Sequence, residues 1–228
     1  MISEVGVPSY WYLITRFGEA QNLLPAALWV CLALVRAEAT RPLGYRWLLG
    51  LALVALLDTA SKVAFIGWGM GVARWNFTGF SGHAMFSAAV YPLLMTTLTA
   101  RLAPVWQRVA LGCGFALAAL VGVSRVMVDA HSVSEVVLGL LLGSAVTLLA
   151  ILQAGLPQVV WRLYVPVLLG VWMVVAPLVA PPLPTHWMVT RLALLLSGHV
   201  RPYTRLDMLR GARRKTPPVH QPQPIAPG

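Results

Sequence analysis

The sequence predicts an all-α fold, a polytopic membrane protein built as a bundle of six transmembrane helices. Its 228 residues are 58% hydrophobic and only 11% charged, which leaves too little polar surface for a soluble domain of this length. Several apolar runs approach the roughly 20 residues that a helix needs to cross a bilayer. The runs are continuous rather than alternating, which favours helices over the strands of a transmembrane barrel.

Six apolar runs define the predicted spans. We place them at 21–36, 47–68, 82–101, 105–126, 131–153 and 158–180. Pro42, Pro104 and Pro157 fall in the short connections, where helices are expected to stop. Pro92 falls within the third span, where membrane helices tolerate proline. One domain over residues 21–180 is therefore expected to contain the whole bundle.

The segments on either side of the bundle are predicted to lie at the membrane surface. Residues 1–20 are too short and polar to span, and their aromatic side chains suit an interfacial helix. They also lack the basic start and apolar run of a cleavable signal peptide. Residues 181–228 begin with prolines, after which a second interfacial helix can place His186 and Arg191 on its wet face. From about residue 201, Arg, Pro and Gln dominate, so disorder is expected there.

The net charge of +10 comes largely from loops and from the end of the chain. Six basic residues cluster there: Arg201, Arg205, Arg210, Arg213, Arg214 and Lys215. In a membrane protein such charge indicates topology or contact with lipid headgroups, and no nucleic-acid partner is expected. Cys31 and Cys113 fall inside apolar runs, where we expect buried small side chains rather than a disulfide or metal pair.

The arginine distribution predicts how the chain is oriented in the membrane. Six spans put both termini, and the loops after the second and fourth spans, on one side, here called the motif side. The short connections on the other side carry six arginines: Arg36, Arg41, Arg46, Arg101, Arg108 and Arg162. Because short basic loops stay in the cytoplasm, the motif side is expected to face outward. The basic tail favours the opposite orientation. We give it less weight because it follows the last span.

Four polar clusters fall on the motif side, where ionisable residues at membrane depth are functional candidates. They are Asp58 with Lys62, Ser81-Gly82-His83, Ser124 with Arg125, and His131 with Glu135. The first and last pairs are spaced i, i+4 and so share a helix face. A bundle brings these helix ends together, and the predicted helix N-termini add unpaired N–H groups that attract anions.

This set of side chains suits phosphoryl transfer. Glu135 can accept a hydrogen bond from one ring nitrogen of His131, which leaves the other nitrogen free to attack phosphorus. His83 can protonate the departing oxygen as a general acid. Lys62 and Arg125 supply positive charge for the phosphate oxygens, and water then releases the phosphate from the enzyme. Because these cations repel a metal ion, no metal or other cofactor is expected, and a two-histidine, one-carboxylate metal site is the weaker alternative.

The clusters resemble the signatures of the type 2 phosphatidic acid phosphatase (PAP2) superfamily. Ser124-Arg125-x5-His131-x3-Glu135 is similar to the third signature, SRx5Hx3D, and Phe80-Ser81-Gly82-His83 to the second, PSGH. Lys62 occupies the place of the lysine in the first signature, Kx6RP. The resemblance covers residues 55–140 and implies a six-span membrane phosphatase that needs no metal.

The resemblance also implies a role for each matching residue. His131 would be the nucleophile and His83 the acid, and Glu135 would stand where the family has the aspartate. The phosphate-binding residues that it implies are Lys62, Arg125, Ser81, Gly82 and Ser124, with Arg74 as a candidate for the remaining arginine.

The chain departs from the family pattern at three points. Phe80 replaces a proline, and Glu135 replaces an aspartate with a longer arm. The first signature is broken, because Gly69 stands where its arginine is expected and Arg74 comes only later. Arg74 is therefore either a substitute phosphate ligand or an interfacial anchor. The Asp58–Lys62 pair is likewise either a structural pair or a phosphate contact.

The expected activity is the dephosphorylation of a membrane lipid phosphate or diphosphate at the non-cytoplasmic face of a bacterial inner membrane. Undecaprenyl diphosphate is a candidate, and phosphatidic acid, phosphatidylglycerol phosphate and a lipid A phosphate remain open. A lipid phosphotransferase needs the same first half-reaction, and a non-catalytic scaffold or transporter would explain the broken first signature. Ser197-Gly198-His199 repeats the Ser-Gly-His motif, but it and the basic tail are expected to be non-catalytic.

Overall fold

The computed structural model describes residues 7–159, 164–181 and 183–215, which form helices joined by short loops, with no strand among them. The helices within these ranges are α1 (Ser9–Arg16), α2 (Ala20–Arg36), α3 (Arg41–Trp68), α4 (Gly82–Leu98), α5 (Pro104–Met127), α6 (Val133–Ala154), α7 (Tyr164–Val179), α8 (Thr185–Ser197) and α9 (Arg205–Lys215). Short 3₁₀ turns lie at Glu38–Thr40 and Ala73–Trp75.

Helices α2 to α7 coincide with the six predicted spans, so the all-α membrane-type fold is confirmed. Four stretches in the described part of the chain are long and apolar enough to cross a membrane: Ser9–Arg36, Glu38–Trp68, Pro104–Met127 and Val133–Ala154. Helix α4 has 17 residues and α7 has 16, which is shorter than a typical span. The count of six crossing helices therefore stays a prediction.

Helix α4 forms the centre of the bundle, packed against α5 and α6. Small residues allow this close packing, as is common between helices in lipid. A Cβ on Gly143 of α6 would clash with Met85 O, and one on Gly114 of α5 would clash with the backbone of Pro92. The backbones therefore approach closely at these two glycines, which packs α4 tightly against α5 and α6.

Two of the prolines assigned to connections lie instead in the first turn of a helix. Pro104 is the first residue of α5, and Pro42 lies in the first turn of α3, where a missing N–H costs nothing. Pro92 lies inside α4 and does not end it. Helix α3 begins at Arg41, six residues before the predicted span.

The two ends of the bundle differ in character. At the end away from the polar clusters, Arg46 of α3 donates to Gln153 O at the end of α6, and Arg41 donates to Val35 O. Guanidinium groups thus satisfy helix carbonyls there, which is favourable at a helix C-terminus. Arg162, another arginine assigned to this side, lies outside the described residues.

The C-terminal segment corrects one expectation. Helix α9 spans Arg205–Lys215, within a stretch expected to be disordered. Helix α8 packs on α3, and Met208 of α9 is buried against Phe65 and Ile66 of α3. Burial of apolar side chains on α3 therefore orders a segment whose composition suggested otherwise. Residues 216–228 lie outside the described residues.

Candidate functional site

A cavity of about 920 Å³ opens among α2, α3, α4 and the C-terminal segment. Its polar lining includes six residues from the predicted clusters: Asp58, Lys62, Gly82, His83, Arg125 and His131. Thr78 and Arg205 line it as well. Its apolar lining comes mainly from α2 and α3: Leu23, Leu24, Ala27, Leu48, Leu51, Ala52 and Ala55. The same cavity thus has a cationic end and an apolar wall.

His131 and Glu135 form the contact that their i, i+4 spacing predicts. Nδ1 of His131 lies 2.8 Å from Oε2 of Glu135, whose side chain is fully buried. An ionised carboxylate only accepts hydrogen bonds, so Nδ1 carries the proton and Nε2 keeps a free lone pair. The pair therefore presents an oriented imidazole with an available nitrogen on the cavity side.

The turn before α6 fixes the backbone of His131. The N–H groups of Ala130 and His131 both donate to Arg125 O at the end of α5, at 3.0 and 3.2 Å. Asp129 adopts a φ of +54° in this turn, a conformation that Asp tolerates better than most residues. The five-residue interval between Arg125 and His131 is therefore a compact turn that brings both side chains to the cavity.

Ser132 and Glu135 form a capping box at the start of α6. The Ser132 hydroxyl accepts from the Glu135 N–H at 3.4 Å, and Oε2 of Glu135 accepts from the Ser132 N–H at 3.0 Å. The longer arm of glutamate makes this reach-back possible. Glu135 therefore orients His131 and caps the helix with the same carboxylate.

Burial lowers the pKa of the His131 imidazole below its ordinary value. The hydrogen bond and charge of Glu135 raise this pKa, while Arg125 and Lys62 lower it further. The result of these opposing effects is a neutral ring at physiological pH, which is the protonation state that a nucleophile needs.

Lys62 and Asp58 of α3 form the second predicted contact. Nζ of Lys62 donates to Oδ2 of Asp58 at 2.8 Å, with both side chains mostly buried. A Cβ on Gly82 would lie 3.2 Å from Nζ of Lys62 and 3.1 Å from Oδ2 of Asp58. The absence of a side chain at Gly82 thus lets the N-terminus of α4 approach this ion pair.

Phe80 and Ser81 hold the entrance to α4. The Phe80 N–H donates to Ser61 Oγ at 3.3 Å, a bond that a proline could not make. The Ser81 N–H donates to Glu135 O at 3.2 Å. The backbone before His83 is therefore anchored to α3 and α6 at once. Ser81 is fully buried, and its side chain does not belong to the cavity lining.

Arg125 and Ser124 take different positions at the end of α5. Arg125 lines the cavity, and its Nη1 donates to Thr15 Oγ1 of α1 at 2.7 Å. Ser124 is fully buried, and its hydroxyl donates to Val121 O of its own helix at 2.6 Å. The N-terminal helix thus orients Arg125, whereas Ser124 is not part of the cavity lining. No feature of the sequence indicated Thr15.

Arg74 lies outside the cavity. It belongs to the 3₁₀ turn Ala73–Trp75, is exposed to solvent and is absent from the cavity lining. Its position suits an interfacial anchor better than a phosphate ligand.

The C-terminal segment brings another guanidinium to the site, contrary to the expectation that the basic tail lies apart from it. Nη2 of Arg205 lies 2.8 Å from Oε2 and 2.9 Å from Oε1 of Glu135. Thr78 donates to Oε1 from both its N–H, at 2.6 Å, and its hydroxyl, at 2.7 Å. Neither Arg205 nor Thr78 was predicted, because no local spacing connects them to the signatures. Ser197 and His199 contact α3 and lie outside the cavity lining.

Known proteins provide independent support for the resemblance. The model of the PAP2 superfamily matches residues 48–156, which include the predicted signature residues from Lys62 to Glu135. A Klebsiella pneumoniae protein described as an uncharacterized 22.5 kDa protein in the cps region is 36% identical over 213 residues, which cover 89% of this chain and 99% of the relative. No solved structure matches the chain. This chain belongs to the PAP2 superfamily, a superfamily of phosphatase type.

Proposed function

We propose that this protein is an integral membrane phosphatase that hydrolyses a lipid phosphate or diphosphate through a phosphohistidine intermediate. The observation that carries the proposal is the composition of the cavity. His131, His83, Lys62 and Arg125 line it together with apolar side chains of α2 and α3. A phosphate headgroup fits the cationic end, and the hydrocarbon chain of its lipid fits the apolar wall.

The proposed reaction has two steps. Nε2 of His131 attacks phosphorus, and the bond from phosphorus to the leaving oxygen breaks while His83 donates a proton to that oxygen. Water then attacks phosphorus while His83 takes a proton from this water. The bond from phosphorus to Nε2 of His131 breaks, and inorganic phosphate leaves. The leaving group is a lipid alcohol for a monophosphate and a lipid monophosphate for a diphosphate.

The positive groups would stabilise the charge that spreads over the phosphoryl oxygens in each step. Lys62 acts as a point charge, and Arg125 offers the guanidinium nitrogens not bound to Thr15. The first N–H groups of α4, from Gly82 onward, have no partner within their own helix, and Gly82 and His83 line the cavity. These donors and cations supply the positioning and charge stabilisation on which phosphoryl transfer depends.

The arginines at the opposite end of the bundle support an outward-facing site. Arg41 and Arg46 lie at that end, and short basic connections remain in the cytoplasm. The substrate would then be a lipid phosphate of the outer leaflet. Undecaprenyl diphosphate is the first candidate to test, because its headgroup is recycled at that surface in bacteria.

Phosphate release from defined lipids tests the proposal. Purified protein in detergent should release phosphate from at least one of undecaprenyl diphosphate, phosphatidic acid, phosphatidylglycerol phosphate and a lipid A phosphate. His131→Ala should abolish turnover and the acid-labile phosphoenzyme, while His186→Ala, which removes another imidazole of the cavity lining, should retain both. Full activity in His131→Ala would refute the proposal. Transfer of labelled phosphate to a second lipid without free phosphate would instead identify a phosphotransferase.

A further inference from the structure

The structure assigns a positioning role to Arg205: we propose that it fixes the carboxylate of Glu135 and, through it, the ring of His131. This inference rests on the proposed function, because it concerns the same reaction. Arg205 lies outside residues 48–156, the range matched by the superfamily. It reaches the site from the C-terminal segment, 70 residues after Glu135.

The contacts of Glu135 leave its carboxylate little freedom. Oε1 accepts from Thr78, and Oε2 accepts from His131 and the Ser132 N–H. Nη2 of Arg205 bridges the two oxygens at 2.9 and 2.8 Å. Rotation of the carboxylate would break this bridge. The guanidinium therefore fixes the orientation of the Glu135 carboxylate, which accepts the N–H of the His131 imidazole.

Charge balance gives a second reason for the contact. The Glu135 side chain is fully buried, whereas that of Arg205 retains 33% of its exposure. A buried carboxylate needs a compensating charge, and the His131 ring is neutral when it acts as nucleophile. Arg205 supplies the missing positive charge through its ion pair with Glu135.

The geometry favours a positioning role over direct phosphate binding. Nη1 of Arg205 donates to Asn76 O at 2.9 Å, and Nη2 donates to Thr78 Oγ1 at 3.1 Å as well as to the carboxylate. Both terminal nitrogens therefore already have protein acceptors. Arg125, by contrast, binds the protein through Nη1, and its buried Nε has no protein partner.

The chain before Arg205 is docked on the C-terminal end of α3. The Tyr203 N–H donates to Ile66 O at 2.9 Å, and Nδ1 of His199 donates to Gly67 O at 2.6 Å. These bonds satisfy carbonyls that a helix end leaves without an internal partner. The Tyr203 ring also packs edge-on against Phe65, with a centroid distance of 5.6 Å. These contacts hold the chain at Tyr203 against α3 and thereby fix the position of Arg205, which follows two residues later.

The substitution Arg205→Gln removes the charge and the bridge. We expect kcat to fall about 10- to 100-fold with little change in KM, which is the usual loss when the orienting partner of a functional histidine is removed. The negative charge of Glu135 would no longer be shared with a guanidinium. It would therefore stabilise the protonated imidazole more strongly, and the titration midpoint of His131 should move to higher pH.

Carbon-13 NMR of histidine-labelled protein in detergent measures that midpoint without any substrate. The His131 signal is identified by its loss in His131→Gln. Arg210→Gln is the matched control, because Arg210 is an exposed arginine of the same helix. Its His131 midpoint and kcat should equal those of wild type. Arg205→Lys, which keeps the charge but not the bridge, should fall between wild type and Arg205→Gln.

The outcomes separate this inference from the proposed function. Equal midpoints and equal kcat in Arg205→Gln and Arg210→Gln would overturn the positioning role. If wild-type protein releases phosphate from no lipid, the phosphatase proposal fails, while the NMR comparison still decides whether Arg205 controls His131. If Arg205→Gln does not fold, as judged by size-exclusion chromatography, Arg205→Lys provides both measurements, and values equal to wild type would overturn the inference.

Discussion

Nδ1 of His131 lies 2.8 Å from Oε2 of Glu135, and the same oxygen accepts the Ser132 N–H at 3.0 Å. One carboxylate thus orients the imidazole and caps the helix that carries it. The shorter arm of an aspartate, found at this place in the family signature, would have difficulty making both contacts. We therefore infer that the glutamate is suited to this site because it makes both contacts.

Substitutions at Glu135 should separate its charge from its length. Glu135→Gln places an amide against Nδ1 of His131 and favours the wrong tautomer, so we expect kcat to fall about 10³- to 10⁴-fold. Glu135→Asp keeps the charge but shortens the arm, and a loss of about 10- to 100-fold is expected. Phosphate release by both purified variants measures the difference. An aspartate variant as active as wild type would show that the additional reach has no function.

Sequence spacing predicted the short-range part of this site. Residues at i, i+4 on a helix must lie side by side, so the pairs Asp58–Lys62 and His131–Glu135 follow from the helix alone. The capping box was not among the predicted contacts, although it has a sequence signature: serine followed by glutamate three residues later, before an apolar run. Helix positions followed from the length and continuity of the apolar runs.

The long-range part of the site had no sequence signal. Arg205 reaches Glu135 only because the segment after α8 docks on carbonyls at the end of α3, and no periodicity encodes such a contact. Thr15 meets Arg125 across 110 positions for the same reason. For Ser124 the sequence predicted a site contact that the structure does not show. Its position matches the signature, but its hydroxyl donates to a carbonyl of its own helix. A motif gives residue order but not side-chain direction.

The contact of Gly82 with the Lys62–Asp58 pair leads to a second prediction. A methyl group at position 82 would sit 3.2 Å from Nζ of Lys62 and 3.1 Å from Oδ2 of Asp58, so the pair must move. Because a misplaced binding group is costly in catalysis, Gly82→Ala should lower kcat/KM by about 10- to 100-fold. Steady-state kinetics on the best lipid substrate measures the effect.

Gly112→Ala is the matched control for this substitution. Gly112 lies in helix α5, and a Cβ there would meet nothing within 4 Å. Alanine favours a helix over glycine by up to about 1 kcal/mol, so this variant should be fully active and at least as stable as wild type. Equal kinetics for both alanine variants would mean that close approach at Gly82 is unimportant.

The depressed pKa of His131 predicts the acid limb of the pH–rate profile. Protonation removes the lone pair of Nε2, so activity falls as pH drops through the pKa of this imidazole. Because burial lowers that pKa, the limb should lie below the ordinary histidine value of about 6.5. The pH dependence of kcat/KM reports it for the free enzyme. A midpoint at or above the ordinary value would contradict the balance of burial and charge described for the ring.

Metal-independent turnover is the fourth prediction. Lys62, Arg125 and Arg205 already place three cationic side chains along the cavity, and their charge would oppose a bound divalent cation. Activity should therefore be unchanged after treatment with a strong chelator, with His131→Ala defining the background rate. Loss of activity in chelator, restored by one divalent cation and not by others, would contradict the prediction.

The side of the membrane is the last prediction, and two exposed alanines at opposite ends of the bundle test it. Ala130 lies in the turn before α6, at the site, and Ala103 lies directly before α5, at the arginine-rich end. Single cysteines at these positions, in a background without Cys31 and Cys113, can be treated on intact cells with a small impermeant thiol reagent. Because short basic loops remain in the cytoplasm, we expect labelling at 130 and protection at 103. Both variants should be labelled equally after the membrane is permeabilised, which shows that each thiol is accessible. The reverse pattern in an active protein would place the chemistry in the cytoplasm and exclude a substrate of the outer leaflet.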